Sequence, residues 1–286
     1  MQVIQLSDKG YPTALKSIYN PPRHIHVLGD IPALPMVAIV GSRKPTPYGE
    51  MVAYKIAADL ARSGICVVSG LAYGIDSIVH QATLEAGGKT VAVLGSGLEN
   101  IYPTAHRALA REIVRSGGAL ISEYEATAPP LKHHFPARNR IIAGISEATI
   151  VPEADAKSGS LITAQLALDE NRHVLAVPGP ITSARSAGPN NLLKAGASPI
   201  TSAADIYSIL EISQNNSVGK MMSTTELSQS AKQVLSILHA GPSTTEDLSK
   251  ASGIAIPTLL STLTILETQN YVRSAGGNSW IGLLEI

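Results

Sequence analysis

The chain has one phenylalanine, one tryptophan and one cysteine in 286 residues, no excess of either charge, and no apolar run of membrane length. Each shortage excludes something. A lone Cys66, inside the apolar run Ile65–Val68, forms neither an internal disulfide nor a cysteine-based metal cluster. The 8 histidines are scattered, and the adjacent His133 and His134 point apart, so no metal site is expected. With 22 basic residues against 22 acidic ones, bulk charge draws the chain to no polyanion, and any anion site must be local. No charged-then-apolar leader opens the sequence, and the reading is of a reduced, cytoplasmic, soluble protein away from membranes.

What is present is a core-forming composition, 44% hydrophobic and 15% charged, long enough for one large domain and a small one. Residues 1–35 read as an irregular lead-in, because Tyr11-Pro12, Asn20-Pro21-Pro22 and Ile31-Pro32 interrupt any helix; His24–Leu28 fits one edge strand. From Met36 short apolar runs recur: Met36–Val40, Ile65–Val68, Thr90–Leu94, Ala119–Ile121, Ala148–Val151 and Val174–Val177. Such runs, unbroken by polar alternation, are strands covered on both faces. Helix-length amphipathic segments separate them, which predicts an α/β fold: a doubly wound, mostly parallel Rossmann-like sheet over 36–211. A polar, turn-rich linker over 212–225 then leads to a small winged-helix domain over 226–286. Its helices are expected at Glu226–Ala240, Thr245–Ser252 and Ile256–Asn270, followed by a hairpin turning at Gly276-Gly277-Asn278.

In such sheets ligands bind beyond the carboxyl ends of the strands, where helix N-termini offer free N–H groups. The densest signal there is His133–Gly144, read as a loop, in which Phe135 and Pro136 are followed by Arg138, Asn139 and Arg140. A flat ring between histidines and two guanidinium groups suits a nucleic-acid base whose phosphate is neutralised nearby. A ring tucked under its own loop, with the arginines solvated, fits the same residues. Ser158-Gly159-Ser160 opens a helix beside Lys157, so a hydroxyl caps the helix and spare N–H groups can meet a phosphate. Arg43, held at a strand end by Gly41-Ser42, would join Lys132, Arg138, Arg140 and Lys194 in a local basic groove. A lone lysine such as Lys194 reads as well as a solvated surface group.

Other chemistries lack their residues. Gly95-x-Gly97-x-x-Asn100 misses the third glycine of a dinucleotide fingerprint, and Gly41–Pro45 misses the Gly-Lys-Ser/Thr ending of a Walker loop. No Gly-x-Ser-x-Gly elbow exists and no catalytic set assembles, so neither an enzyme nor a cofactor is expected. In 226–286, Lys232, Lys250 and Arg273 face Glu226, Glu246, Asp247, Glu267 and Glu285, and the expected third helix has no Lys or Arg. A groove-reading helix needs phosphate anchors and base-edge donors, so a protein-contact or structural role is expected for this domain.

Taken together, Ile39-Val40-Gly41-Ser42-Arg43, Ser69-Gly70-x-Ala72-x-Gly74-Ile75-Asp76 and Phe135-Pro136-x-Arg138-Asn139-Arg140-Ile141-Ile142-Ala143-Gly144 resemble the DNA-processing protein A (DprA/Smf) family. The resemblance continues through Ser158–Ala164, Val177-Pro178-Gly179 and Asn191-Leu192-Leu193-x-x-Gly196-Ala197, in the family's order. It implies a single-stranded-DNA-binding protein of natural transformation that protects incoming strands and helps load the RecA recombinase. It further implies a homodimer formed through the Rossmann-like domain. The DNA-binding residues it implies are Arg43, Lys132, Phe135, Arg138, Asn139, Arg140, Ser158, Gly159, Ser160 and Lys194. The fold also resembles the lysine-decarboxylase-like nucleotide hydrolases, which would make the alternative a nucleotide-monophosphate hydrolase or nucleotide sensor. Their Pro-Gly-Gly-x-Gly-Thr-x-x-Glu turn is replaced here by Ala156–Ala164, without the glutamate.

Overall fold

Buried runs of Val, Ile and Ala pair side by side into one nine-stranded sheet, with strand order β1-β2-β6-β5-β4-β3-β7-β8-β9. The computed structural model describes residues 1–212, 227–239, 241, 243–269 and 271–282. The chain divides into two compact units, Met1–Pro45 with Ile56–Asn216, and Thr46–Lys55 with Ser217–Ile286. The strands of the large sheet are β1 (Gln2–Gln5), β2 (His24–Gly29), β3 (Met36–Ile39), β4 (Cys66–Ser69), β5 (Thr90–Leu94), β6 (Ala119–Ser122), β7 (Ala148–Val151), β8 (His173–Ala176) and β9 (Ser198–Pro199). Between them run α1 (Thr13–Lys16), α2 (Pro47–Arg62), α3 (Ile75–Glu85), α4 (Arg107–Arg115), α5 (His134–Ile145), α6 (Gly159–Asp169) and α7 (Ala187–Lys194), with α8 (Ala203–Ile209) after the last strand.

Strands β3 to β7 are buried at every position, as a sheet covered on both faces requires. Each Val or Ile taken out of water there contributes about 1.5–3 kcal/mol before the entropy of ordering it is counted. From β3 the chain builds β4, β5 and β6 in one direction, then returns to lay β7 and β8 on the other side of β3. The crevice beyond the ends of β3 and β7 is therefore the switch point, where ligands of such sheets sit.

The first 35 residues correct the expectation of an irregular lead-in. β1 and β2 pair antiparallel, and β2 pairs antiparallel with β6, so β2 lies inside the sheet and not at its edge. The prolines that signalled irregularity fall between elements: Pro12 precedes α1, Pro21 and Pro22 precede β2, and Pro32 follows it. Leu15 and Ile18, from α1 and just after it, bury themselves with Ile141, Ile142 and Ile145 of α5. The linker expected over 212–225 lies, past Ile212, outside the described residues.

The second unit holds α9 (Gln229–His239), β10 (Ser243–Thr244), α10 (Thr245–Ser252), α11 (Ile256–Thr268), β11 (Val272–Gly276) and β12 (Ser279–Gly282), the strands ordered β10-β12-β11. Leucines of the three helices and Val272 form its core. Thr244 caps α10 by accepting from the Asp247 N–H, and the left-handed Gly253 ends that helix. The Trp280 indole N–H donates to Thr245 Oγ1 at 3.0 Å, which fastens the wing to α10.

Candidate functional site

The Phe135 segment is the first turns of a helix, not a loop, and that decides which of its residues share a face. Phe135, Arg138, Asn139 and Ile142 stand three, four and seven positions apart and turn the same way; Arg140 points to the opposite side. The first four line a cavity of about 450 Å³ at the switch point. Gly41-Ser42-Arg43-Lys44 after β3 and Lys157-Ser158-Gly159-Ser160 at the start of α6 form its other walls.

The floor of the cavity holds two buried groups of opposite charge, Arg138 and Asp76. Arg138 is 5% exposed; its Nη1 donates to the carbonyls of Gly70, at 2.7 Å, and of Val93, at the ends of β4 and β5. Asp76 in the first turn of α3 accepts from the N–H groups of Gly70 at 3.1 Å and Ala72 at 3.3 Å. Burial pushes the Asp76 carboxyl up from its ordinary range while Arg138 pulls it back, and burial brings Arg138 itself down to about 10. Gly70 is required by this arrangement, since a Cβ there would stand 2.6 Å from the Arg138 guanidinium. The Gly70, Asp76 and Arg138 of two separate motifs are thus one structural unit.

The rim is different. Arg43, Lys44 and Lys157 are exposed around the cavity mouth and make no ion pair among the described residues. Ser158 caps α6 by accepting from the Ser160 N–H at 3.3 Å, and its hydroxyl meets that of Ser160 at 2.8 Å. The remaining first-turn N–H groups give the helix end a partial positive charge suited to an anion. Asn139 ties α5 to this turn, its amide donating to the Gly159 carbonyl at 3.4 Å. Phe135 is half-buried and rests on Gly95, where a Cβ would come within 2.8 Å of the ring. The first glycine of the Gly95-x-Gly97 stretch therefore seats the ring, while Gly97 gives room for the Glu125 and Ala126 carbonyls. Tyr102, 48% exposed, stands against Phe135 with centroids 5.7 Å apart.

The expected basic groove forms only in part. Arg43, Phe135, Asn139, Ser158, Gly159 and Ser160 come together at the cavity. Arg138 also lines the cavity, but from its floor: it is buried and its guanidinium braces the strand ends, so it is no exposed rim cation. Arg140 is a correction: on the far side of α5 its Nη2 meets both oxygens of Glu123, at 2.5 and 2.6 Å, which neutralises it. Lys132 lies exposed in the turn before α5, and Lys194 in the last turn of α7, where its charge suits the helix C-terminus; neither lines the cavity. Sequence reasoning left Lys44, at the same strand end as Arg43, out of the groove, and missed Tyr102, which reaches Phe135 from a separate connection. The cavity's carboxylates are both committed, Asp76 to backbone N–H groups and Asp155 to Arg185.

An open cavity joins surface cations, a helix N-terminus and a half-exposed ring at the switch point of a Rossmann-like sheet, a combination whose chemistry suits ligands with both phosphate and a flat base. The comparisons name the family. The profile of DNA recombination-mediator protein A matches residues 2–211, that of the DprA winged helix domain matches residues 219–278, and the chain belongs to this family. It is 43% identical over 210 residues to DNA processing protein DprA of Bacillus subtilis, covering 72% of this chain and 70% of that protein. It is 42% identical over 211 residues to Protein Smf of Escherichia coli, covering 73% of this chain and 56% of that protein. The structure of DNA processing protein A from Streptococcus pneumoniae matches with a TM-score of 0.69 at 41% identity, over 72% of this chain and 73% of that one. A Helicobacter pylori structure, which gives insight into the single-stranded DNA binding mode of its DNA processing protein A, matches with a TM-score of 0.65 at 33% identity, over 74% and 96% of the two chains. The nucleotide-hydrolase alternative is not favoured by these relatives. Among the described residues no single helix is long and apolar enough to cross a membrane.

Proposed function

We propose that the sheet unit binds single-stranded DNA without cutting it, in the service of natural transformation. In this reading an unpaired base lies on Phe135 with Tyr102 at its edge. The backbone passes the side chains of Arg43, Lys44 and Lys157 and sets one phosphate against the first turn of α6. The observation that carries the reading is the half-buried Phe135 ring at the mouth of a cavity edged by exposed cations. Stacking needs a base that is free of its partner strand, which favours single strands over duplex.

The same reading makes the protein a cytoplasmic homodimer that protects incoming strands and helps place RecA on them. Two such cavities in one dimer raise the effective concentration of the second contact on a shared strand. Fluorescence anisotropy with labelled single-stranded DNA, duplex DNA and RNA of one sequence tests the core claim. Single-stranded DNA is expected to bind more tightly than duplex; equal affinity for duplex would defeat the proposal. Sedimentation of the whole chain tests the dimer, and release of free base from nucleotide monophosphates would revive the hydrolase.

A further inference from the structure

Strand β2 carries His24 and His26, two residues apart and therefore directed to one face of the strand. Their rings stand together, centroids 5.3 Å apart and planes 79° apart. His26 is 5% exposed, yet neither of its ring nitrogens has a hydrogen-bond partner in the protein. Buried polar groups in native proteins are satisfied as a rule, so an imidazole with two orphan nitrogens calls for a ligand.

A third donor is close. Glu125, in the connection from β6 to α5, brings Oε1 to 4.0 Å from His26 Nε2, and one donor atom from each of the three residues lies within 4.8 Å of the others. The backbone that carries this carboxylate is fixed. The Gly97 N–H donates to the Ala128 carbonyl, Glu99 to Ala126 and Ala128 to Glu125, each at 2.9 Å. The Glu125 side chain itself is 82% exposed and has room to swing inward. A simple His26–Glu125 ion pair would serve one nitrogen, leaving the other orphaned and His24 unexplained.

We propose that His24, His26 and Glu125 bind one divalent transition-metal ion, zinc in the first instance. Two imidazoles and a carboxylate are the donor set of borderline metals; calcium and magnesium prefer oxygen throughout. Four-coordinate zinc with ligands at ~2.0–2.1 Å separates its donors by roughly 3.4 Å, so the cluster needs a contraction, led by the exposed carboxylate. Water completes the shell. The ion would cross-link β2 to the connection that carries Tyr124, whose ring stacks on His134 at 3.7 Å immediately before Phe135. Its role is a structural staple behind the candidate site.

The test uses the whole chain, stripped with a chelator and titrated calorimetrically with zinc chloride. One equivalent is expected, together with a higher unfolding midpoint. Cobalt(II) at the same site is expected to give the visible bands of a four-coordinate nitrogen and oxygen shell. H24A and E125Q change residues that are not fully buried, so the fold survives, and each is expected to weaken zinc by about tenfold or more. The double variant should lose the midpoint shift altogether. No saturable binding at micromolar zinc overturns the proposal, as does undiminished binding by the double variant, which would place the metal on other histidines. Calcium or magnesium binding as tight as zinc overturns it too.

Discussion

In the sheet unit Arg43, Lys44 and Lys157 surround a half-buried Phe135, whereas in the winged-helix unit α11 carries no Lys or Arg and leaves Ile256, Leu260 and Ile265 at 45%, 41% and 56% exposure. A helix that enters a duplex groove needs anchors for phosphate and donors for base edges, and α11 supplies neither. The module whose architecture is associated with DNA is thus the one poorly equipped to touch it, and the sheet is the better equipped. Fold names carry less information here than the placement of three cations and one ring.

The comparison is sharpest where charge is buried. Arg138→Met removes the donor to the Gly70 and Val93 carbonyls and the cation that offsets the buried Asp76 carboxylate, so about 1–3 kcal/mol of stability should go, measured by urea unfolding. Arg43→Ala, at the rim, should leave stability unchanged; a comparable loss would erase the distinction between floor and rim.

Acid should loosen the sheet unit first. Burial holds His80 at about 3, below its ordinary 6.5, with Nδ1 bonded to Thr90 and Nε2 without a partner. Between those values the unfolded chain takes up a proton that the folded one refuses, so stability falls as pH drops, by up to about 1.4 kcal/mol per pH unit. Unfolding followed by circular dichroism should shift with pH over that window, and His80→Leu should flatten the dependence. Trp280, the sole tryptophan, reports on the winged-helix unit and should shift less. An equal shift at Trp280 would mean that the units do not respond separately.

Smaller effects concern binding. Phe135→Ala should weaken single-stranded DNA by about 1–3 kcal/mol if the ring stacks on a base. Arg43→Ala should flatten the logarithmic salt dependence by roughly 0.7, the share of one neutralised phosphate on a single strand. Lys232→Ala with Lys250→Ala should leave affinity and salt slope unchanged. If that pair costs as much as Arg43→Ala, the contrast between the two units fails.

The parallel strands were legible because Val and Ile runs between helix-length segments have few other solutions. The three winged helices showed in the same way. The start of α5 was not: Phe-Pro-Ala-Arg-Asn-Arg has too few apolar positions for a helical period, so Arg138 and Arg140 read as equivalent although the helix turns them apart. The burial of Arg138 depends on Asp76 and on carbonyls from two strands, which no local pattern announces. The histidines read as scattered, and the grouping of His24 and His26 with Glu125 arrives only through the antiparallel pairing of β2 with β6.

That pairing has a practical side. A shortened version of this protein that begins at Met36 would strip β6 of its outer neighbour and bare a row of unsatisfied N–H and C=O groups along Ala119–Ser122. An apolar strand left open in this way recruits strands from other molecules, so the amino-terminal segment also guards the sheet against self-association.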